Sequence, residues 1–474
     1  MIRKYKITNV ILLSIIFSMG FTSCALVNTY KAPEIDSQNL FRDENPTDTT
    51  TIADIPWREY FADSALCTLI DEGLANNFDM RIAYTRIQQA EAALVIAKST
   101  YYPTIYLAGQ VTQNQLSVDK DGNKKIFGFN GGTTWGLGFA VSWEADLWGK
   151  LSSRSRAQYA NLVGTQAYRN LIQTSLISNI ATTYYTLLAL DEQLKITKET
   201  VVLLKESTET MDAMMQAGLL NRAGVKQSEA LLYGTQVSIP SLEMQIKQLE
   251  NSLSVLVGRN PGPIARTAIQ NQPVPSSLTY GVPVQMLAKR PDVLQAEMGF
   301  RYAFEMRNVA QRSLYPSLTL GSSTAPTTVG YVSNTLSQFF KPENIIASIV
   351  GGLVQPIFAG NQLKGQYKIA KAQQEEALLT FKQTVLNAGE EVSNILYTYE
   401  SSLRKNDDRS KQVESLRTAV SDTKKLLTAG EANYTEVLNA EQNLLQAQLG
   451  QVSDKLEQLQ ATVNLYRALG GGVK

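Results

Sequence analysis

The residue types that usually carry catalysis are scarce in this chain. Its 474 residues include no histidine, which removes the commonest general base and zinc ligand. Cys24 and Cys67 are its only thiols, so neither a disulfide framework nor a cysteine-rich metal site is expected. Nucleotide-binding and nucleophile-elbow motifs are also absent from the sequence. An enzymatic function would need a carboxylate pair, and no pair stands in a convincing setting.

The overall charge does not select a partner. Lys and Arg number 44 and Asp and Glu number 43, and they form no long runs of one sign. A protein that binds nucleic acid normally presents a basic surface, so no nucleic-acid partner is expected. Cys67 lies in a segment with a helical pattern, ALCTLIDEGL, where a buried small hydrophobic role is the simplest interpretation.

The most informative polar residues belong to a turn that the chain contains twice. Residues 214–230 read MMQAGLLNRAGVKQSEA, and residues 426–442 read LLTAGEANYTEVLNAEQ. From these turns onward, an offset of 212 matches 11 of 45 positions, about four times the number expected by chance. Within the turn the shared pairs are Ala217 and Ala429, Gly218 and Gly430, Asn221 and Asn433, Val225 and Val437, and Glu229 and Glu441. Such a long internal repeat predicts one body built from two related halves.

Long helices must position these turns. Helical patterns cover about residues 63–101, 152–213 and 363–426, and alanine recurs every seven residues in both halves, as is typical of closely packed supercoiled helices. These alanines are Ala83, Ala90, Ala97, Ala296, Ala303 and Ala310. Glycine suits the left-handed residue that ends a helix, and asparagine is a good N-cap for the next helix. Each turn is therefore predicted to be the tip of a long antiparallel helical hairpin, and Pro240 is predicted to kink one returning helix.

Segments with period-two alternation separate the helices and predict four strands in two hairpins. They read TIYLAGQV and TWGLGFAVSW in the first half, and SLTLGSST and ASIVGGLVQPIFAG in the second. One face of the first pair carries Ile105, Leu107, Gly109, Val111, Leu137, Phe139, Val141 and Trp143. Four strands cannot close a barrel, and lipid cannot satisfy a free strand edge, so several chains are expected to complete it. The alternative is a soluble sheet covered by helices.

The N-terminus has the features of a processing segment. Three basic residues precede an apolar run from Val10 to Phe21, which is too short for a comfortable membrane span. The following FTSC resembles the lipobox of bacterial lipoproteins, and this resemblance implies that Cys24 is the acylated first residue of the mature chain. A covalent lipid on Cys24 is thus expected, with no other cofactor and no metal. The alternative is a signal peptide with an incidental cysteine.

Taken together, the motifs of the chain resemble TolC-like outer membrane factors, of the efflux lipoprotein branch (OprM/NodT-like). The matching segments are FTSC, ALVNTYKAPEID, TRIQQAEAALVIAKSTYYPTI, VSWEADLWGKL, YYTLLALDEQLKIT, LAKRPDVLQAE and the two AG turns. They cover almost the whole mature chain. Their order and spacing are specific, whereas any one of them alone would be a weak indication.

The resemblance implies a mainly α fold with membrane β structure. In the implied homotrimer, four strands per chain form a shared 12-stranded β-barrel, which continues as a long periplasmic α-helical coiled-coil barrel. The implied location is the cell outer membrane, lipid-anchored and spanning, with a periplasmic extension. The implied function is a passive conduit, not an enzyme, that exports drugs or other small molecules. It would be docked by a periplasmic membrane fusion (adaptor) protein and an inner-membrane pump of the RND type.

Two other functions remain open at this point. A protein secretion system could use the same kind of outer-membrane duct. A periplasmic coiled-coil binding protein that never spans a membrane would treat the strands as a soluble cap.

The resemblance also assigns roles at the second turn. TolC-like proteins place two acids at the periplasmic constriction, and Glu436 and Asn439 occupy those positions here, so the pattern is half intact. Three copies of Glu436 around one axis would repel one another and attract cations. The equivalent positions of the first half hold Gly224 and Gln227, which cannot supply such a ring. A solvated helix glutamate is the alternative for Glu436.

Both turns match the tip motif that the family presents to adaptor hairpins. The matching residues are Gly218, Leu219, Asn221, Val225, Gly430, Asn433 and Val437. Leu219 and Val225 are expected to expose apolar surface for such a partner. Local turn geometry alone could account for the glycines and asparagines.

The predicted organisation follows the repeat. Its parts are a lipoprotein signal peptide (1–23), an N-terminal tether (24–62), a first structural repeat (63–262), a connecting segment (263–290) and a second structural repeat (291–474). Each repeat is predicted to contain helices, a strand pair and a helical hairpin.

Overall fold

The computed structural model describes residues 29–34, 55–114, 132–274, 290–321 and 327–473. The predicted signal peptide, Cys24, most of the tether and most of the connecting segment lie outside these residues. Two compact units are present, and each takes residues from both halves of the chain. Among the described residues, the β unit contains 29–33, 89–114, 132–163, 297–321 and 327–379, and the helical unit contains 34, 55–88, 164–274, 290–296 and 380–473. The predicted boundaries follow chain symmetry instead of these units, and they stay a prediction.

Helices account for most of the described chain. They are α1 (Trp57–Tyr60), α2 (Ser64–Asn76), α3 (Phe78–Ser99), α4 (Lys150–Gln216), α5 (Arg222–Leu256), α6 (Pro291–Arg312), α7 (Gln362–Ala429) and α8 (Tyr434–Ala468). The long helices α4 and α7 contain 67 and 68 residues. At 1.5 Å per residue each is about 100 Å long. They correspond to the long helical patterns predicted for residues 152–213 and 363–426. No helix among the described residues is both long and apolar enough to cross a membrane.

The helical segment predicted near residues 63–101 is divided in two. Asn77 adopts an extended backbone conformation between α2 and α3, and its side-chain oxygen accepts a hydrogen bond from the Met80 amide at 3.0 Å. Its side-chain nitrogen donates to the Leu256 carbonyl at 2.9 Å. The helical pattern predicted there is thus confirmed as two helices, because Asn77 both caps α3 and ties it to the end of α5.

The core of the helical unit is built from aliphatic and aromatic side chains of several helices. Leu66 and Ile70 of α2 pack with residues of the middle of α4 and the end of α5. The fully buried members include Ile177, Ile180, Tyr184, Leu187 and Leu253. Removing this much apolar surface from water is the main stabilising contribution in this unit.

The RPD sequence at the start of α6 forms a buried ion-pair network. The Arg290 guanidinium, 5% exposed, donates to Asp292, to Glu391 on α7 and to the Ala468 carbonyl at the end of α8. Burial alone would raise the pKa of Asp292, but the hydrogen bonds and positive charge of Arg290 outweigh it and hold this pKa below its usual range. These contacts therefore fasten the start of α6 to α7 and to the end of α8.

The β unit contains one antiparallel sheet. Its strands are β1 (Thr104–Asn114), β2 (Gly132–Ala145), β3 (Ser317–Leu320), β4 (Thr327–Ser333), β5 (Ile345–Ser348) and β6 (Gly351–Val354). On one side β2 pairs with β1, and on the other it pairs with β4 and then with β3. Finally, β5 pairs with β4, and β6 pairs with β3. The sheet therefore has four ranks, meaning four successive strand positions across it: β1, β2, the strands β3 and β4, and the strands β5 and β6. The sheet is thus four strands wide, as predicted, but both strands of the second half are in two pieces.

The break in the third rank follows from its register. Val141 and Trp143 on β2 face Thr327 and Leu320, respectively. Two residue steps on β2 thus correspond to seven on the facing chain, so the register shifts by five residues between β3 and β4. Alternation of apolar residues could not predict this register shift, because it does not interrupt the pattern on either side.

The register gives one face of the sheet apolar residues from all four ranks. One cross-strand row is Leu107, Phe139, Val329 and Ala347, and the next is Gly109, Leu137, Tyr331 and Ile345. The opposite face has rows with Tyr106, Ala140, Thr328 and Ser348, and with Ala108, Gly138, Gly330 and Ile346. Apolar side chains on the first face are largely exposed in one chain, with Leu107 64% and Phe139 61% exposed.

A pair of glycines allows close approach of β2 and β4. Gly138 and Gly330 face each other, and a Cβ built on Gly330 would lie 2.4 Å from the Gly138 Cα. No side chain fits at that separation. Glycine is therefore required at both positions of this pair in the sheet.

Candidate functional site

The two repeated turns have the same backbone structure. Gly218 and Gly430 have φ values of 76° and 78°, in the left-handed region that favours glycine. In the first turn the amides of Gly218 and Leu219 donate to the carbonyls of Met215 and Met214, both at 2.9 Å. The equivalent bonds of the second turn run from Gly430 to Leu427 and from Glu431 to Leu426. This is the Schellman pattern in both halves, and it confirms the predicted helix ends.

The returning helices begin at the predicted asparagines. The Asn221 side-chain oxygen accepts from the Gly224 amide at 3.0 Å, and that of Asn433 accepts from the Thr435 amide at 3.2 Å. Both residues have extended backbone angles, as N-cap residues do. The sequence prediction of two capped helical hairpins is therefore confirmed at both ends of each turn.

The two tips pack against each other in the helical unit. A small buried cluster, here called the tip cluster, unites both hairpins: Met211, Val225, Leu427, Val437 and Leu438. Val225 is 3% and Val437 1% exposed, whereas Leu219 is 72% exposed. The expectation that Val225 presents apolar surface was wrong, because this side chain is used to join the hairpins. Leu219 keeps the exposure expected of it.

An aromatic ring closes the junction between the tips. A Cβ built on Gly224 would lie 3.1 to 3.2 Å from ring carbons of Tyr434, so the ring lies directly over the glycine backbone. Tyr434 is the first residue of α8, and Gly224 is in the first turn of α5. Sequence reasoning overlooked Tyr434. The available indication was that Gly224 stands where the other repeat has a glutamate.

Glu436 and Asn439 lie on the opposite side of α8 from the tip cluster. Both are exposed, while the neighbouring Val437, Leu438 and Ala440 are buried. Residues three apart share one side of a helix, so the carboxylate and the amide are adjacent on one surface. The chain thus holds this acid–amide pair on a rigid, capped helix start, free of the packing that joins the hairpins.

A second glutamate of the repeat is buried instead. Glu441 is 6% exposed, and one of its carboxylate oxygens, Oε1, accepts from Ser207 of α4 at 2.5 Å and contacts Lys424 of α7 at 2.8 Å. Its repeat mate Glu229 pairs at the surface with Lys226 at 2.6 Å. The repeat pattern does not distinguish the two glutamates, and only packing shows that Glu441 is buried.

The described residues thus combine paired helical hairpins at the ends of long helices with an antiparallel sheet that is apolar on one face. A family model described as outer membrane efflux protein matches residues 69–259 and 282–471. The chain belongs to this family. It is an outer-membrane component of an export system.

Similar proteins agree with this assignment. The chain is 29% identical over 426 residues to the pyoverdine export outer membrane protein OpmQ of Pseudomonas putida. This match covers 89% of each chain. It is 26% identical over 421 residues to the probable outer membrane lipoprotein SilC of Salmonella typhimurium, and this match covers 88% of each chain. The open-state crystal structure of the Neisseria gonorrhoeae MtrE outer membrane channel matches with a TM-score of 0.82 and 24% identity, over 95% of this chain and 99% of that one.

Proposed function

We propose that three copies of this chain close their sheets into one 12-stranded barrel and act as a passive efflux conduit. The observation that carries this proposal is the register, which collects apolar side chains from all four ranks on one face and mostly small or polar residues on the other, where Tyr106 and Ile346 are the exceptions. A sheet of this kind suits a wall with lipid outside and water inside.

The sheet edges support closure by several copies. Among the described residues, β1 pairs only with β2, and β5 and β6 pair only with β4 and β3. One chain therefore leaves backbone donors and acceptors of β1 on one edge and of β5 and β6 on the other. In a bilayer each unpaired group costs several kcal/mol, so joining β1 of one copy to the last rank of the next is strongly favoured.

The cargo is proposed to be drugs or other small molecules, delivered by an inner-membrane pump of the RND type through a periplasmic adaptor. Family membership supports export in general, and OpmQ, by its name, exports pyoverdine. The capped hairpin tips, with exposed Leu219, are the surfaces proposed to meet the adaptor. No chemistry on the cargo is proposed, since the chain has no histidine.

The remaining site assignments are also proposals. Acylation of Cys24 would hold the N-terminus in the outer membrane, and the similarity to SilC, named a probable outer membrane lipoprotein, supports it. In a trimer, three exposed Glu436 carboxylates with three Asn439 amides would surround the periplasmic constriction. A polypeptide secretion duct is the competing function, and loss of a secreted protein without a change in drug sensitivity on gene deletion would favour it.

The decisive experiment determines oligomer mass and single-channel conductance of the purified acylated protein. Trimers that conduct in planar bilayers are expected. A stable monomer in a native bilayer, or a trimer without channel events, would contradict the proposal.

Leu107→Arg, on the apolar face, should reduce insertion because an arginine at the lipid-facing midplane costs about 2–4 kcal/mol. Gln110→Arg is the matched control on the opposite face and should insert normally.

A further inference from the structure

The N-terminal tether contacts helix α6 through Tyr30. The Tyr30 ring lies against the rings of Phe300 and Phe304, with centroid distances of 5.9 and 5.7 Å. Its hydroxyl donates to Glu297 Oε1 at 3.2 Å, and the Arg301 guanidinium lies 5.3 Å from its ring centroid. Burial and the charge of Glu297 raise the pKa of the Tyr30 hydroxyl, which therefore stays protonated as the donor.

The contacting residues share one face of α6, here called the aromatic socket: Glu297, Phe300, Arg301 and Phe304. Residues three and four apart are neighbours on a helix surface, so this spacing places the four side chains together. Phe300 and Phe304 are only 7% and 9% exposed with Tyr30 in place. The socket offers apolar rings, a cation over the ring face and a carboxylate acceptor. It therefore suits tyrosine, whose side chain joins an aromatic face to a hydroxyl donor.

The docked tyrosine limits how far Cys24 can lie from α6. Six residue steps separate Cys24 from Tyr30, and an extended chain spans at most about 20 Å over that number of steps. From the socket toward the sheet, α6 continues from Phe304 to Arg312 for about 12 Å. Four residues then connect Arg312 to Ser317, the first residue of β3. The reach of the tether and the distance from the socket to the sheet are thus of similar size, which leaves little slack.

We propose that the aromatic socket holds Tyr30 as a fixed point that brings the lipid on Cys24 to the membrane surface beside the edge of the sheet. This inference rests on the proposed acylation of Cys24 and on the proposed membrane position of the sheet. Without the socket, the 33 residue steps from Cys24 to Trp57 at the start of α1 could extend about 110 Å. Docking of Tyr30 therefore shortens the reach of the lipid about fivefold and places it where the sheet enters the bilayer.

Trypsin cleavage after the exposed Lys31 tests the docking, because Tyr30 must leave the socket before a protease can bind the segment. Mass spectrometry of the purified membrane protein gives the initial rate. Tyr30→Ala should raise it about tenfold or more, and Tyr30→Phe, which loses only the bond to Glu297, about two- to tenfold. Phe304→Leu should raise it from the socket side. Tyr102→Ala, at a tyrosine that is 73% exposed, is the control and should leave it unchanged. The wild-type rate in Tyr30→Ala would overturn the proposal.

Shortening the tether tests the limit on its reach. Deleting residues 26–28 removes about 10 Å between Cys24 and Tyr30, so the lipid can stay in the membrane only by drawing Tyr30 out of the socket. Cleavage after Lys31 should therefore rise toward the Tyr30→Ala rate in the acylated protein. It should not rise in a non-acylated version that carries Cys24→Ser behind an ordinary secretory signal. Deleting residues 49–51, on the other side of Tyr30, is the matched control and should have no effect in either version.

The outcomes at the tether are separate from those of the conduit. Equal cleavage of the shortened acylated and non-acylated proteins would overturn the limit on reach. A mass spectrum without a lipid on Cys24 would overturn the proposed acylation and this inference with it. Oligomer mass and single-channel conductance report on the conduit, so its failure is distinguishable from failure of the socket.

Discussion

The two hairpin tips have the same backbone but different surfaces. Each has a left-handed glycine, a Schellman pair of hydrogen bonds and an asparagine N-cap. The second tip adds Tyr434 and Glu436 at positions where the first has Arg222 and Gly224. The shared residues therefore define the turn, and the residues that differ define how the two tips meet and what they present.

The contact between the two tips explains why the two repeats carry different residues at this position. Tyr434 of the second tip covers Gly224 of the first, so a glycine in one repeat is complementary to an aromatic ring in the other. Had both tips carried glutamate at this position, the ring could not lie against the backbone. The acid is consequently restricted to the second tip, and the proposed constriction has one acidic position per chain.

The largest expected effect comes from the tip cluster, where the tips are equivalent. Val437→Asp places an unpaired charge at a position that is 1% exposed, and a loss of about 4 kcal/mol or more in local stability is expected. Hydrogen exchange of the tip amides in the assembled protein measures this loss. Leu219→Asp, at an exposed position of the first tip, should change exchange by less than about 0.5 kcal/mol. Similar losses in both variants would show that the cluster is not the junction.

The next effect tests the asymmetry directly. Gly224→Val introduces a Cβ only 3.1 Å from the Tyr434 ring, and a cost of about 1–3 kcal/mol is expected from overpacking. Glu436→Val, at the equivalent exposed position, should cost less than about 0.5 kcal/mol. The same exchange experiment measures both. Combining Gly224→Val with Tyr434→Ala should remove most of the overpacking, and additive losses would rule out the ring contact.

A smaller and equal effect is expected where the tips are identical. Gly218→Ala and Gly430→Ala should each lower local stability by about 1–2 kcal/mol, because both positions have positive φ. The new Cβ meets open space at both positions, so backbone strain is the only expected cost. Gly234→Ala in α5 is the matched control, since it also meets open space but has a helical backbone. That change should stabilise the helix by up to about 1 kcal/mol. Different losses at the two turns would show that they are not equivalent.

What could be predicted from the sequence was local. Gly218 and Asn221 reveal a helix end and a helix start because backbone angles and capping restrict residue type at single positions. The apolar face of β1 followed from period two alone. These features depend on neighbours a few residues away. The capped turns were correctly predicted in both halves, and the apolar strand face in the first half.

What escaped prediction depends on residues far apart in the chain. Val225 looked available for a partner because a helical pattern does not say which face meets another hairpin more than 200 residues away. The contact of Tyr434 with Gly224, the buried environment of Glu441 and the register shift between β3 and β4 have the same origin. Each is decided when distant segments pack, and no pattern in a short window encodes it.

The smallest expected effect concerns the acid that only the second tip carries. Glu436 is exposed, so its interaction with a passing ion is expected to be a few tenths of a kcal/mol per charge, screened by salt. Glu436→Gln should reduce cation selectivity and cation block in single-channel recordings. Asn439→Asp, which completes the two-acid pattern beside it, should increase both. Because the two variants change the charge in opposite directions on one surface, equal currents in both would remove Glu436 from the conduction path while leaving the two capped tips intact.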